Sequence, residues 1–128
     1  MAIKYRMTKR PDNLSTSSGK GLYPRIIRNQ NMDSSALAKR LSKGSPLLKG
    51  EMLGCIEQIK SQLIEELLNG NSVSIDGLGT FSLSAEANRS VDRPEEIRAA
   101  SIHVKSVNFR AAPELMSRMK EARFEREE

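Results

Sequence analysis

One run of apolar residues constrains the fold of this chain more than any other feature. Between residues 45 and 71, apolar side chains recur every three or four positions, which is the period of an amphipathic helix. They are Met52, Cys55, Ile56, Ile59, Leu63, Ile64 and Leu67. Ser45-Pro46 is typical of a helix start, with a capping serine and proline in the first turn, and Asn69-Gly70-Asn71 is typical of a helix end. The pattern predicts one long helix.

Two shorter helices are predicted on either side of the long one. Asp33 stands where an N-cap belongs, and Gly44 is suited to ending the helix that follows it. Pro113 opens a last helix near the end of the chain. The apolar residues at helical spacing in these two segments are Ala36, Leu37 and Leu41, then Leu115, Met116 and Met119.

Extended segments account for most of the remaining chain. Apolar and polar residues alternate over 3–8, 73–75, 81–84 and 102–107, and residues 22–28 form another short extended segment. Gly77 and Gly79 permit a sharp hairpin turn, and Phe81 is expected to anchor the sheet against the long helix. The order of helices and strands predicts an α+β fold.

Several kinds of chemistry are excluded by the residues present. With one cysteine, Cys55, and one histidine, His103, the chain has neither an internal disulfide nor a Cys/His zinc site. The glycines beside Lys20 and Leu78 lack the spacing of a phosphate loop or a dinucleotide loop. No catalytic set can be assembled around His103, and Cys55 is interpreted as a core residue. We expect a non-enzymatic protein without cofactor, metal or small-molecule substrate.

Positive charge is concentrated at the front of the chain. Residues 1–50 contain 11 Lys and Arg against 2 Asp and Glu, whereas the whole chain carries a net charge of +5. Such a region favours a polyanionic partner, because cations displace condensed counterions from phosphates. The alternative is a solubilising surface. No apolar leader or membrane-length apolar run is present, so a cytoplasmic protein is expected.

Two stretches resemble a known family of bacterial DNA-binding proteins. Residues 70–81 contain Val73, Gly77, Gly79 and Phe81 in the spacing of the turn and strand of the HU and integration-host-factor proteins. Residues 107–118 resemble the integration-host-factor Phe-Arg-Pro-Gly-x-x-Leu segment, and the similar region covers about seventy per cent of the chain. The resemblance implies an integration-host-factor-like fold with two N-terminal helices, a three-stranded antiparallel sheet with a β-ribbon arm, and a C-terminal helix.

The resemblance also implies how DNA is bound. Two ribbon arms of an intertwined homodimer reach around the minor groove, where cations meet phosphates and a wedge, typically proline, unstacks a base step. Pro94 corresponds to the wedge, or alternatively to a turn proline at the tip of a shortened hairpin. The expected cationic contacts are Arg89, Arg93, Arg98, Lys105 and Arg110. This arm lacks the family's usual signature, and residues 85–98 carry three Arg against four carboxylates.

An N-terminal extension also departs from ordinary HU proteins. Tyr23-Pro24-Arg25 resembles an element in the leading segment of HU-related proteins of Bacteroides-type bacteria. We expect part of the DNA contact to lie in this extension, the alternative being strands that join the sheet while their cations keep its edge soluble. The residues assigned to this contact are Lys9, Arg10, Arg25 and Arg28.

These patterns divide the chain and suggest its partner. Residues 1–31 form the basic extension, 32–124 the HU-like domain and 125–128 a frayed charged tail. The helices carry more apolar surface than one small sheet can cover, which favours a homodimer. The residues beyond the main stripe are Leu47, Leu48, Leu53, Ile64 and Leu68. The leading hypothesis is largely sequence-independent binding of double-stranded DNA in the nucleoid. The alternative is an HU-like protein-interaction module that has lost DNA bending.

Overall fold

The computed structural model describes residues 1–9 and 21–127, and it contains helices and strands in the mixed α+β class expected. Residues 10–20 are not among the described residues, so the predictions made for Arg10, Lys20 and the polar segment between them stay predictions. The helices are α1 (Ser34–Lys43), α2 (Lys49–Leu68) and α3 (Pro113–Met119). The strands are β1 (Ile3–Lys9), β2 (Leu22–Ile26), β3 (Val73–Ile75), β4 (Gly79–Ala87), β5 (Ile102–Ala111) and β6 (Phe124–Arg126).

The first helix begins and ends at the residues that the sequence predicts. The Asp33 carboxylate accepts a hydrogen bond from the Ala36 N–H at 2.9 Å, which satisfies one of the free amides of the first turn. At the other end the Gly44 N–H donates to the Leu41 carbonyl at 3.2 Å. Both boundary predictions for α1 are confirmed.

The long helix begins three residues later than predicted. It starts at Lys49 rather than Pro46, and the Glu51 carboxylate accepts from the Leu48 N–H at 2.8 Å. Ser45, the predicted cap, instead accepts from the Leu47 N–H at 3.1 Å within a local turn. The prediction of a Ser45 cap is wrong because this hydroxyl closes a turn before the helix starts.

Strands β3, β4 and β5 form an antiparallel sheet in that order. Gly77 has a φ of 82°, so the hairpin turn between β3 and β4 uses a left-handed residue, as predicted. At Gly79 a Cβ would lie 2.5 Å from the Arg110 carbonyl oxygen, so β4 and β5 approach too closely there for a side chain. The rings of Phe81 and Phe109 contact each other across the strands at a centroid distance of 4.9 Å.

The two ends of the described chain meet in a second sheet with the order β2-β1-β6. Central strand β1 is antiparallel to β2 and parallel to β6. The Ile3 N–H donates to the Arg123 carbonyl at 2.8 Å, and the Glu127 N–H donates to the Tyr5 carbonyl at 2.9 Å. The prediction of a frayed tail is therefore wrong for Glu125 and Arg126, because β1 supplies their backbone partners.

This second sheet, which we call the terminal sheet, contains both extended segments predicted in the extension. The alternative expectation, that these segments join the same sheet as the hairpin, is wrong. In the part of the chain that the structure describes, strand β1 pairs with β2 and with β6, and none of the three pairs with β3, β4 or β5. Pro24 lies on β2, which is an edge strand, so its missing N–H removes no bond between neighbouring strands.

Few side chains are buried in a single copy of the chain. Among the described apolar residues only Ala38 and Leu67 are buried, whereas Ile64 is 49% and Leu68 is 78% exposed. The chain exposes 10962 Å² of surface, and a compact monomer of its mass would expose about 6,800 Å². Cys55, predicted to be a core residue, is also exposed. The apolar stripe of α2 is therefore largely uncovered within one copy.

Candidate nucleic-acid interface

The β4–β5 pair forms a two-stranded ribbon whose two faces differ in chemistry. Pairing runs from Gly79 opposite Ala111 to Ala87 opposite Ile102. Alternation places Thr80, Ser82 and Ser84 on one face, together with Ser106, Asn108 and Arg110. The hydroxyls of Ser84 and Ser106 are 2.8 Å apart, and Ser106 donates to the Asn108 side chain at 2.9 Å. This face is polar, while Phe81 and Phe109 lie on the other.

Two predicted contact residues lie on β5. Arg110 stands opposite Thr80 on the polar face and is exposed. The register passes from Ser84 opposite Ser106 to Ala85 opposite Val104, so Lys105 is the extra residue of a β-bulge. Lys105 is exposed there, and a bulge directs its side chain away from the regular alternation.

The remaining predicted arm residues lie together in the connection between the two strands. Arg89, Arg93, Pro94 and Arg98 are all exposed within residues 88–101. Pro94 opens a single 3-10 turn, Pro94–Glu96, which the sequence analysis did not predict. The Arg89 guanidinium donates to the Glu96 carbonyl at 3.5 Å, the long limit for a hydrogen bond.

A histidine and a carboxylate face each other near the end of the ribbon. His103 lies opposite Glu86, and the His103 Nε2 is 3.0 Å from the Glu86 Oε2. Both side chains are about half exposed, so the pair makes a modest contribution to the ribbon. The described residues hold no group of three or more His, Cys, Asp or Glu side chains that could bind a metal ion.

The predicted cationic residues of the extension do not share one face of the terminal sheet. Lys9 and Arg25 are exposed on β1 and β2, and Arg28 is exposed just beyond β2. The alternation along the strands puts Lys9 and Arg25 on opposite faces of the sheet. Arg6, which the sequence analysis did not single out, stands directly opposite Arg25. Its only sequence signal is its place between apolar residues in β1.

One ion pair joins the two ends of the chain in this sheet. The Lys4 ammonium bonds to the Glu125 carboxylate. The hydrogen bond from Lys4 lowers the pKa of the Glu125 carboxyl, and the same bond raises the pKa of Lys4, with the attraction of the two charges adding to both effects. Lys4 is therefore already neutralised by a residue of its own sheet.

The helices of the described segments do not meet the requirements of a membrane span. None of them is both long enough and apolar enough to cross a bilayer.

Solved structures with a similar fold include one from Bacteroides vulgatus and one from Anabaena. A protein from Bacteroides vulgatus ATCC 8482, to which bacterial DNA binding has been attributed, aligns with a TM-score of 0.69 at 18% identity over 98% of this chain. The alignment covers 47% of that protein, so this chain spans about half of its length. HU from Anabaena, crystallised with DNA, aligns with a TM-score of 0.52 at 18% identity over 71% of this chain and 98% of HU.

Comparison with curated proteins and with protein families gives different results. No curated protein matches the chain. Residues 1–126 match the HU-HIG family, which is described as an HU domain fused to wHTH, Ig, or Glycine-rich motif. The match takes in the terminal sheet as well as the helices and the ribbon. The chain therefore belongs to the HU-HIG family of HU-type proteins.

Proposed function

We propose that the chain is a non-enzymatic protein that binds double-stranded DNA with little dependence on sequence. The observation that carries this proposal is the ribbon, an HU-type element with a polar face and exposed cations along its length. Exposed cations lie on its face, at its bulge and in its connection, and they are Arg110, Lys105, Arg89, Arg93 and Arg98. Cations of this kind suit phosphate contacts, which carry no sequence information. Binding to DNA would localise the protein to the nucleoid.

The proposed binding unit is a homodimer. A single copy exposes about 4,000 Å² more than a compact monomer of its mass. Obligate dimers bury about 2,000–5,000 Å² summed over both partners, in interfaces more apolar than the rest of the surface, so dimerisation would cover part of this excess. We place the HU-like domain at residues 32–124, where Ile59, Ile64 and Leu68 supply exposed apolar surface. Residues 1–31 form a basic addition to this domain.

Bending of DNA is the finer part of the proposal. Pro94 is exposed at the start of a 3-10 turn in the connection between β4 and β5, where it would act as the wedge at a base step. A protein that binds this way prefers DNA that is already easy to deform.

The test is fluorescence anisotropy with a straight duplex and a nicked duplex, repeated over a salt series. We expect binding that weakens steeply as salt rises, because phosphate contacts release counterions, and tighter binding to the nicked duplex. Tight binding without preference for the nick would retain DNA binding but remove bending. Absence of binding at low salt would overturn the proposal.

A second candidate function is protein interaction on the same scaffold. It is favoured by the arm, because residues 85–98 carry Glu86, Asp92, Glu95 and Glu96 against three arginines. A segment with this charge attracts phosphates weakly. If the duplexes do not bind at low salt and the protein is still a folded dimer, this function replaces the first.

A further inference from the structure

The terminal sheet has one apolar face and one polar, basic face. Along β1, the residues Ile3, Tyr5 and Met7 alternate with Lys4, Arg6 and Thr8. The register carries this division across the sheet. The apolar face adds Leu22, Pro24, Ile26 and Phe124, together with the cation Arg126 opposite Tyr5, and the polar face adds Tyr23, Arg25 and Glu125. The Tyr5 and Phe124 rings contact edge to face at 6.3 Å on the apolar side.

Two arginines face each other on the basic side. Arg6 of β1 and Arg25 of β2 are directly opposed, and both are exposed. Side chains at directly opposed positions have Cβ atoms about 5 Å apart, and like charges there destabilise the pair of strands. The two arginine side chains therefore start from neighbouring positions, where their like charges oppose the pairing of β1 with β2.

Within the described residues no carboxylate forms an ion pair with either arginine. The ion pairs there join Lys4 to Glu125, Lys60 to Glu57 and His103 to Glu86, and none includes Arg6 or Arg25. Lys4, on the same face, has its partner in β6. The sheet thus satisfies one of the three cations on this face and leaves the two opposed arginines available to an external anion.

We propose that Arg6 and Arg25 form a phosphate clamp that binds the DNA backbone on the terminal sheet, separately from the ribbon. Each guanidinium presents a planar fork that matches a phosphate, and two adjacent forks can hold one phosphate or bridge two of them. A phosphate between the arginines would also remove their mutual repulsion. This inference rests on the proposed function, since it supplies a further contact to the same DNA.

The alternation of the strands separates the clamp from other cations of the extension. Lys9 lies in the same strand as Arg6 and is exposed, but it points to the apolar side, opposite Leu22. Lys9 is therefore excluded from the clamp, although the charge of the extension as a whole suggests it equally. The control variant is made at Arg126, which is exposed and stands opposite Tyr5 on the apolar side, so that it has the same charge change on the opposite face.

The first experiment uses fluorescence anisotropy with the straight duplex to compare the DNA affinities of Arg6→Gln, Arg25→Gln and Arg126→Gln over a salt series. We expect Arg6→Gln and Arg25→Gln each to bind DNA at least about fivefold more weakly near 0.1 M salt. The plot of log K against log salt concentration should also become less steep, by about 0.9 for each phosphate that the variant no longer neutralises. The affinity of Arg126→Gln should stay within about twofold of that of the original protein. Arg25→Lys should bind more tightly than Arg25→Gln, because it keeps the charge.

A second experiment measures the thermal stability of the variants without DNA, which tests the repulsion between Arg6 and Arg25. Arg6→Gln should raise the Tm at low salt, because it removes the repulsion from Arg25, and the gain should disappear at high salt, where exposed charges are screened. Arg126→Gln should show no such salt-dependent gain, because Arg126 stands opposite Tyr5. A variant that loses DNA affinity while gaining thermal stability cannot owe its lower affinity to unfolding.

The outcomes separate the clamp from the wider proposal. If the original protein fails to bind the duplex at low salt, both the DNA-binding function and the clamp are overturned. If it binds, and Arg6→Gln and Arg25→Gln bind as tightly as Arg126→Gln, the clamp is overturned while DNA binding by the ribbon stands.

Discussion

Gly79 is a residue whose missing side chain allows two strands to meet. A Cβ at this position would lie 2.5 Å from the Arg110 carbonyl oxygen and 2.5 Å from the ring of Phe109. We expect Gly79→Ala to lower the free energy of unfolding by about 1–3 kcal/mol, because backbone and ring must both shift. Urea unfolding at fixed protein concentration measures this change. Gly44→Ala is the control, because a Cβ added there would have nothing within 4 Å and the φ of Gly44 is −105°.

Substitutions of Asp33 test whether its side chain caps the start of α1. Its carboxylate accepts from the Ala36 N–H, and an alanine would leave that amide without its partner. Asp33→Ala should cost about 1 kcal/mol of the free energy of unfolding, and Asp33→Asn should cost less, since asparagine is also a good cap. Equal stability of all three proteins in urea would argue against the cap.

The sequence predicts residues with a local role better than residues with a distant partner. Asp33 is recognisable because a cap acts on an amide three positions away. The start of α2 is harder to predict, because both Ser45-Pro46 and Glu51 are residues that favour a helix start. The sequence does not show that Ser45 closes a turn while Glu51 bonds to the N–H of the residue before the helix. Arg6 cannot be paired with Arg25 from the sequence, because only the register of β1 and β2 places the two residues opposite each other.

At the scale of elements, the pairing of β1 with β6 should depend on pH. The bond to Lys4 lowers the pKa of Glu125, so its contribution is present above the ordinary value of 4.5 and is lost as the pH falls through the lowered pKa. The pKa of Lys4 is raised, so its contribution is present below 10.5 and is lost as the pH rises through the raised pKa. Between these limits the pair stabilises the sheet.

Glu125→Gln should therefore lower the Tm near pH 7 and have no effect in strong acid. The change is expected to be small, since both side chains are about half exposed. Thermal unfolding from pH 2 to 8 follows the difference, with Glu121→Gln as an exposed control of equal charge change. A difference that persists unchanged at pH 2 would contradict this role of the ion pair.

Strand β6 shows why some elements cannot be recognised in a sequence. It is three residues long, FER, and contains a single apolar side chain, so it has no periodicity to recognise. Its partner lies about 120 positions away, with Lys4 and Glu125 separated by 121. By contrast, β4 and β5 alternate over enough residues to be recognised, and the turn glycines mark the hairpin that leads into β4.

At the scale of the whole molecule, the uncovered face of α2 leads to a test of the dimer. Ile64 is 49% exposed in one copy, and a charge there would be buried in a dimer that covers the helix. Ile64→Lys should raise the dimer dissociation constant by at least about tenfold, since each 1.4 kcal/mol removed from the interface is tenfold in affinity. Sedimentation equilibrium measures this constant.

The control for that experiment is Gln58→Lys, a change to the same charge at an exposed polar position of the same helix. It should leave the dissociation constant within a few-fold of the original value. In addition, the Tm of the original protein should rise with protein concentration, as mass action requires of a dimer. A monomer at all concentrations would contradict the proposed binding unit.

The sequence by itself determined the elements whose signals are local and repeated. These are the three helices, the hairpin with its glycine turn, the α+β class and the family resemblance carried by residues 70–81. Only the tertiary structure decided that the chain ends share a sheet, that Arg6 opposes Arg25, and that Lys9 lies on the other face. The reason is physical: periodicity fixes the conformation of a segment, whereas register between distant segments is fixed by backbone hydrogen bonds that no local pattern contains.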